Sequence, residues 1–131
     1  MTVAIVDLAD RCDQLAARNR HVFETLGAWV ADEPDAATQR WFSAAAHRHA
    51  WHADLWAGRR PAIPVDTVEP PTPPQPGGDR VAWYLAALDE LTHDAEVLTV
   101  EVDAELDPST SRVVRLVSAD LDDLARLAPA G

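Results

Sequence analysis

Apolar residues recur at alternating intervals of three and four in four stretches of the chain, with polar residues on the positions between. This spacing is typical of a helix that buries one stripe against neighbouring helices. The stripes predict helices over about 3–30, 36–58, 80–103 and 109–127. The run 96–106 is rich in β-branched residues and can start or end as something other than helix, although the helical period continues across it.

The stripe positions are the predicted core. They share the three-four spacing and are mostly apolar, with polar members near the middle of the first two helices and a threonine near the start of the second and fourth. In chain order they are Ile5, Leu8, Cys12, Leu15, Asn19, Val22, Leu26, Trp29; Thr38, Phe42, Ala45, His49, His52, Trp56; Val81, Tyr84, Leu88, Leu91, Ala95, Leu98, Val102; and Thr110, Val114, Val117, Leu121, Leu124, Ala128.

Residues with capping or helix-breaking preferences mark the ends of these helices. Pro34 disfavours helical geometry in the residue before it, and Asp35 is a suitable N-cap for the second helix. Gly58 followed by Pro61 is expected to end that helix, glycine first. Asp79 is expected to cap the third helix, and a turn containing Pro108 separates the third helix from the fourth.

The longest connection is the segment 61–78, which contains seven of the ten prolines and is predicted to be extended rather than helical. At about 3.1 Å per residue this segment can span roughly 55 Å, whereas a helix of twenty residues is only about 30 Å long. The chain can therefore return to the starting end of the bundle before the third helix. This predicts one all-α domain over 1–131, a four-helix bundle with up-down-down-up order and a proline-rich crossover.

Composition narrows the classes of protein that the chain can belong to. No apolar run is long enough to span a membrane, and Asp7 and Asp10 interrupt the region that a signal peptide needs, so a cytoplasmic location is expected. The net charge of −11 disfavours binding to nucleic acid or to anionic lipid. The one cysteine, Cys12, provides no disulfide framework, and we expect it to be a small buried apolar residue.

The candidate site is the pair His49 and His52, which lie three residues apart on the stripe of the second helix and are therefore neighbours. They can be interior histidines that hydrogen-bond to Asn19, Thr92 or a backbone carbonyl. They can also ligate a metal or a haem, because histidines on adjacent helical turns suit transition metals. A third ligand would then come from His21, His47 or Asp54. A general acid-base pair in a central pocket is the remaining alternative.

Two helical hairpins joined by a long crossover, with a histidine motif in the second helix, resemble the ferritin-like superfamily. The stretch AAHRHAWHADLWAGRRP, residues 45–61, looks like the second helix of small ferritin-like proteins of actinobacteria. The resemblance implies a bundle that holds two iron or manganese ions between glutamates and Glu-x-x-His motifs. In the second helix of this chain, His49 and His52 occupy the two ends of that motif, so that histidine is found where the resembled family has glutamate. No stripe has a carboxylate at a central position. The resemblance therefore implies the fold and a degenerate metal site.

These observations favour a binding or interaction module without a resident cofactor, able to form a homodimer through apolar surface that the bundle leaves exposed. Trp51 lies off the stripe of the second helix and can face a partner or a ligand. The alternative is a small metal-dependent oxidoreductase, or a metal- or ligand-binding protein, centred on His49 and His52, which would take iron, manganese or zinc. Neither the substrate nor the small-molecule ligand follows from the sequence.

Overall fold

Four helices account for most of the structure, a computed structural model that describes residues 5–61 and 78–129, with side chains from residue 7 onward. In chain order they are α1 (Ile5–Val30), α2 (Ala36–Arg59), α3 (Arg80–Glu101) and α4 (Pro108–Arg126). The described ranges contain no strand, which confirms the all-α prediction. The predicted start of the first helix at residue 3 and nearly all of the proline-rich connector lie outside the described residues.

The end of α2 differs from the sequence prediction. The helix continues through Gly58 to Arg59, and Gly58 does not adopt the left-handed conformation that a terminating glycine uses. The prediction of a glycine-first ending is therefore wrong. The helix ends because Arg60 precedes a proline and is extended, with φ −61° and ψ 122°. Its N–H donates to the carbonyl of Ala57 at 3.4 Å and so satisfies one of the last helical carbonyls.

The turn between α3 and α4 begins two residues earlier than predicted. Val102 is already extended, and Asp103 Oδ1 accepts hydrogen bonds from the backbone N–H groups of Glu105 at 2.8 Å and Leu106 at 3.2 Å. An aspartate that bonds to the backbone two residues ahead offers the chain an alternative to the helical ladder. The run 96–106 therefore ends as something other than helix, the alternative that its β-branched residues left open, since α3 includes 96–101 and residues 102–106 form the turn.

Aspartates cap α2, α3 and α4, two of them as predicted. Asp35 accepts from the backbone N–H of Thr38 at 2.8 Å, and Asp79 accepts from that of Val81 at 2.9 Å. At the start of α4 the cap is Asp107. Pro108 is the first residue of the helix and not part of the preceding turn. Proline suits this position because it has no N–H group that would be left unsatisfied.

The predicted stripes form the core. Their described members are all buried except Trp29, Val81 and Ala128, which are partly buried and pack against the core. The side chain of Ile5 lies outside the described residues. Three polar stripe residues at the centre, Asn19, His49 and His52, are at most 1% exposed. The core therefore encloses a polar cluster that must find its hydrogen bonds inside the protein.

Contacts between helices fix which sides face each other. α1 packs most closely on α2, as shown by the ring contact of Trp29 with Phe42 at 5.7 Å between centroids. At the start of α2, Trp41 Nε1 donates to the carbonyl of Leu124 near the end of α4 at 2.8 Å. α1 and α3 are in contact through the rings of Trp29 and Trp83, with 5.3 Å between centroids, and through the ion pair of Arg18 with Asp94. Among the described helices none is both long and apolar enough to cross a bilayer.

Candidate functional site

His49 lies at the centre of the bundle and uses both ring nitrogens in hydrogen bonds. Its Nδ1 is 2.8 Å from Asn19 Oδ1 on α1, and its Nε2 is 2.7 Å from the hydroxyl of Tyr84 on α3. The amide of Asn19 donates in turn to the carbonyl of Leu15 at 2.8 Å. The buried imidazole therefore joins α1, α2 and α3 through one chain of hydrogen bonds.

The order of donors in this chain follows from the chemistry of its members. Because the Asn19 amide nitrogen donates to a carbonyl, its oxygen is the atom that faces His49 and can only accept. His49 Nδ1 must then carry the proton and donate to it. Nε2 is left with a lone pair, which accepts the hydroxyl proton of Tyr84. His49 is thus a neutral imidazole in a single defined tautomer.

Burial keeps His49 and Tyr84 uncharged. Loss of hydration lowers the pKa of His49 from 6.5 to about 3, and the neighbouring His52 adds to the effect. Burial also raises the pKa of the Tyr84 hydroxyl far above its usual value of 10. Both groups are therefore neutral throughout the physiological range, and the hydrogen-bonded chain does not change its charge there.

His52 belongs to a second network, shared between α2 and α4. Its Nε2 is 2.8 Å from Asp120 Oδ2, and the other oxygen of Asp120 accepts from the Arg48 guanidinium at 3.1 Å. Burial lowers the pKa of His52, and the hydrogen bond to Asp120 counteracts part of that shift. A neutral His52 therefore donates from Nε2 to the carboxylate. Its Nδ1 is buried and has no hydrogen-bond partner among the described residues.

Helix geometry explains why the two histidines belong to different networks. Positions three apart on a helix point to neighbouring but distinct directions, and the rings of His49 and His52 are 5.8 Å apart between centroids, inclined by 80°. One ring is directed towards α1 and α3, and the other towards α4. Trp41 and Tyr84, whose ring centroids are 4.9 Å apart, help to form the dry aromatic wall around this centre.

The residues proposed as third ligands lie elsewhere. His47 and Asp54 are exposed, and His21 is half-buried against Trp83, with 6.1 Å between ring centroids. Asn19 is a predicted partner of the pair and does bond to His49, whereas Thr92 is half-buried and bonds to neither histidine. The described part of the chain holds no group of three or more His, Cys, Asp or Glu side chains that could hold a metal ion. Metal binding at His49 and His52 remains a prediction.

The sequence reasoning missed two members of the site. Tyr84 is on the α3 stripe, and as the chain's one tyrosine its hydroxyl had to find an interior partner. Asp120 immediately precedes the stripe residue Leu121 and lies at the edge of the buried face, where a short carboxylate can reach inwards. Both signals are present in the sequence, but neither indicates which histidine each residue approaches.

Comparisons with known proteins give no family to which the chain can be assigned. No family model, curated protein or solved structure matches the chain significantly. What the chain does must therefore be inferred from the arrangement of its own side chains.

Proposed function

We propose that this chain is a ferritin-like helical bundle that acts as a binding or interaction module, in which the histidine centre is structural. The metal site of the resembled family is, in this proposal, degenerate. The main support is that Asn19 and Tyr84 occupy both nitrogens of His49, so that its Nε2 lone pair can ligate a metal only if the buried hydrogen bond from Tyr84 is broken. The broken bond would leave the buried Tyr84 hydroxyl unsatisfied at a cost of about 1–3 kcal/mol.

The contacts between helices support the up-down-down-up order that this proposal includes. Trp41, near the start of α2, contacts Tyr84, near the start of α3, which is expected if these two helices run parallel. Its hydrogen bond to Leu124 at the end of α4 fits an antiparallel α2 and α4. Arg11 near the start of α1 pairs with Glu101 at the end of α3, which fits a second antiparallel pair.

Metal titration tests the structural role of the histidines. Purified protein is dialysed against iron, manganese or zinc and assayed for bound metal, and its thermal unfolding is compared with that of the metal-free protein. The proposal expects no stoichiometric metal and no shift in the unfolding temperature. Stoichiometric binding that disappears in both His49→Ala and His52→Ala variants would contradict it. The homodimer expected from the sequence remains part of the proposal, and sedimentation equilibrium tests it.

A metal- or ligand-binding protein, or a small metal-dependent oxidoreductase, is the second candidate, and one observation favours it. A metal-ligating histidine commonly donates its other ring N–H to a carboxylate, which orients the ring. The pair of His52 with Asp120 has this form and leaves the lone pair of Nδ1 without a described partner. In this role Asp120→Asn would weaken metal binding, whereas Tyr84→Phe would leave it unchanged.

A further inference from the structure

An apolar strip lies on the outer side of the junction between α2 and α4. Trp51 and Leu116 are 45% and 40% exposed, and Leu55, one helical turn after Trp51, is half-buried between them and the core. The indole of Trp51 is also close to the buried ring of His52, with 5.8 Å between centroids. One end of the strip therefore lies on the surface next to the buried His52.

The position of Leu116 follows from the contacts around Asp120. Arg48 and His52 on α2 both bind Asp120 on α4, which fixes the two helices against each other at that level. Leu116 is one turn before Asp120, and α2 and α4 run antiparallel. Leu116 must then lie beside the part of α2 that follows His52, where Leu55 is found. Trp51, Leu55 and Leu116 therefore form one continuous surface, which we call the α2/α4 strip.

Carboxylates lie beside one end of this strip, the exposed Asp54 and the paired Asp120, but the charges at its other end are positive, although the protein as a whole is strongly acidic. Arg59 near the end of α2 and Arg112 near the start of α4 lie at the same end of the strip. In the ranges that the structure describes, neither forms an ion pair with a carboxylate, and Arg59 Nε has no hydrogen-bond partner. Helix α2 carries three arginines and one acid and α4 three of each, whereas α3 carries one arginine and five acids. The strip thus combines apolar side chains with two arginines that pair with no carboxylate of the described residues.

We propose that the α2/α4 strip docks an acidic amphipathic segment of a partner protein. Apolar residues of that segment would cover Trp51, Leu55 and Leu116, and its carboxylates would pair with Arg59 and Arg112. A second copy of this chain is the alternative occupant, and sedimentation distinguishes it from a partner protein. This inference rests on the proposed role as an interaction module and names the surface and the partner class.

A synthetic peptide provides the probe. A labelled amphipathic peptide of about 16 residues, with leucine on one helical face and glutamate on the other, is titrated with the protein and its fluorescence anisotropy is measured. A second peptide carries lysine in place of every glutamate. We expect saturable binding of the glutamate peptide, weakened by added salt, and at least about tenfold weaker binding of the lysine peptide.

Matched variants locate the contact. Trp51→Ala and Arg112→Glu should each weaken binding roughly tenfold, a typical loss at the centre of an interface. Phe23→Ala and Arg20→Glu on α1 are the controls. Phe23 is exposed to a similar degree as Trp51, and Arg20→Glu changes the net charge by the same amount as Arg112→Glu. Both controls should bind as well as the unmodified protein.

Several outcomes would overturn the inference. They are equal binding of the two peptides, equal losses in the control variants, and no binding at about 1 mM peptide, weaker than ordinary transient recognition. A dimer in sedimentation that dissociates in the Trp51→Ala variant would show that a second copy covers the strip. None of these results bears on the metal titration, so failure of the docking surface and failure of the structural role of the histidines can be told apart.

Discussion

Replacing Tyr84 with phenylalanine tests the central hydrogen-bonded chain most directly. The substitution removes one oxygen, keeps the ring that packs on Trp41, and takes away the donor to His49 Nε2. His49 is 0% exposed, so its Nε2 cannot find a water molecule as a new partner. Leaving such an acceptor unsatisfied costs about 1–3 kcal/mol, and we expect the free energy of unfolding to fall by that amount.

Urea unfolding followed by circular dichroism measures the change, and a double-mutant cycle assigns it to the pair. In a His49→Leu background the Tyr84 hydroxyl has already lost its partner, so its removal should be neutral or slightly stabilising. The coupling energy between the two positions should therefore exceed about 1 kcal/mol. A loss below about 0.5 kcal/mol for Tyr84→Phe, with no coupling, would mean that the chain Tyr84–His49–Asn19 does not form in solution.

Other parts of the structure give further expectations. Unfolded His49 binds a proton near pH 6.5 whereas the folded residue stays neutral down to about pH 3, so its contribution to stability is complete well above pH 6.5 and is lost as the pH falls through 6.5, by about 1 kcal/mol between pH 6.5 and 5.5. Urea unfolding at pH 6.5 and 5.5 checks this, and equal stabilities would refute it. Leu88→Ala and Leu121→Ala should each cost about 2–5 kcal/mol, against less than about 0.5 kcal/mol for Val100→Ala at an 81% exposed position. Near-zero losses at both leucines would mean that the stripes are wrongly assigned. Burial raises the pKa of Cys12 to about 11, so a thiol reagent should modify it only as fast as the protein unfolds, and immediate modification of the folded protein would contradict its burial.

Local rules predicted the helices well because their signals lie within a few residues of each other. The three-four spacing identified the stripes, and aspartates at positions 35 and 79 were recognisable caps. The ending of α2 was predicted wrongly because Gly58 and Pro61 both disfavour helix, and only the proline has an unavoidable steric effect. The early end of α3 depends on the hydrogen bonds of Asp103, a competition between side chain and backbone that periodicity does not contain.

The candidate site could be predicted only in part. Polar residues on apolar stripes indicated that His49, His52 and Asn19 meet in the core, and they do. The pairing of His52 with Asp120 depends on how far α4 is rotated against α2, which is set by packing along the full length of both helices. Single helices carry no information about that rotation. The separation of the two histidines into different networks follows from the same long-range geometry.

The chain has one tyrosine, and its phenol is sealed inside the bundle. In strongly alkaline solution that phenol can release its proton only after the helices come apart, because the dry interior excludes the phenolate. The growth of phenolate absorbance after a jump to high pH therefore follows the opening of the bundle itself. The phenol of Tyr84, which is hydrogen-bonded to His49 inside the bundle, thus reports by its absorbance how fast the helices separate.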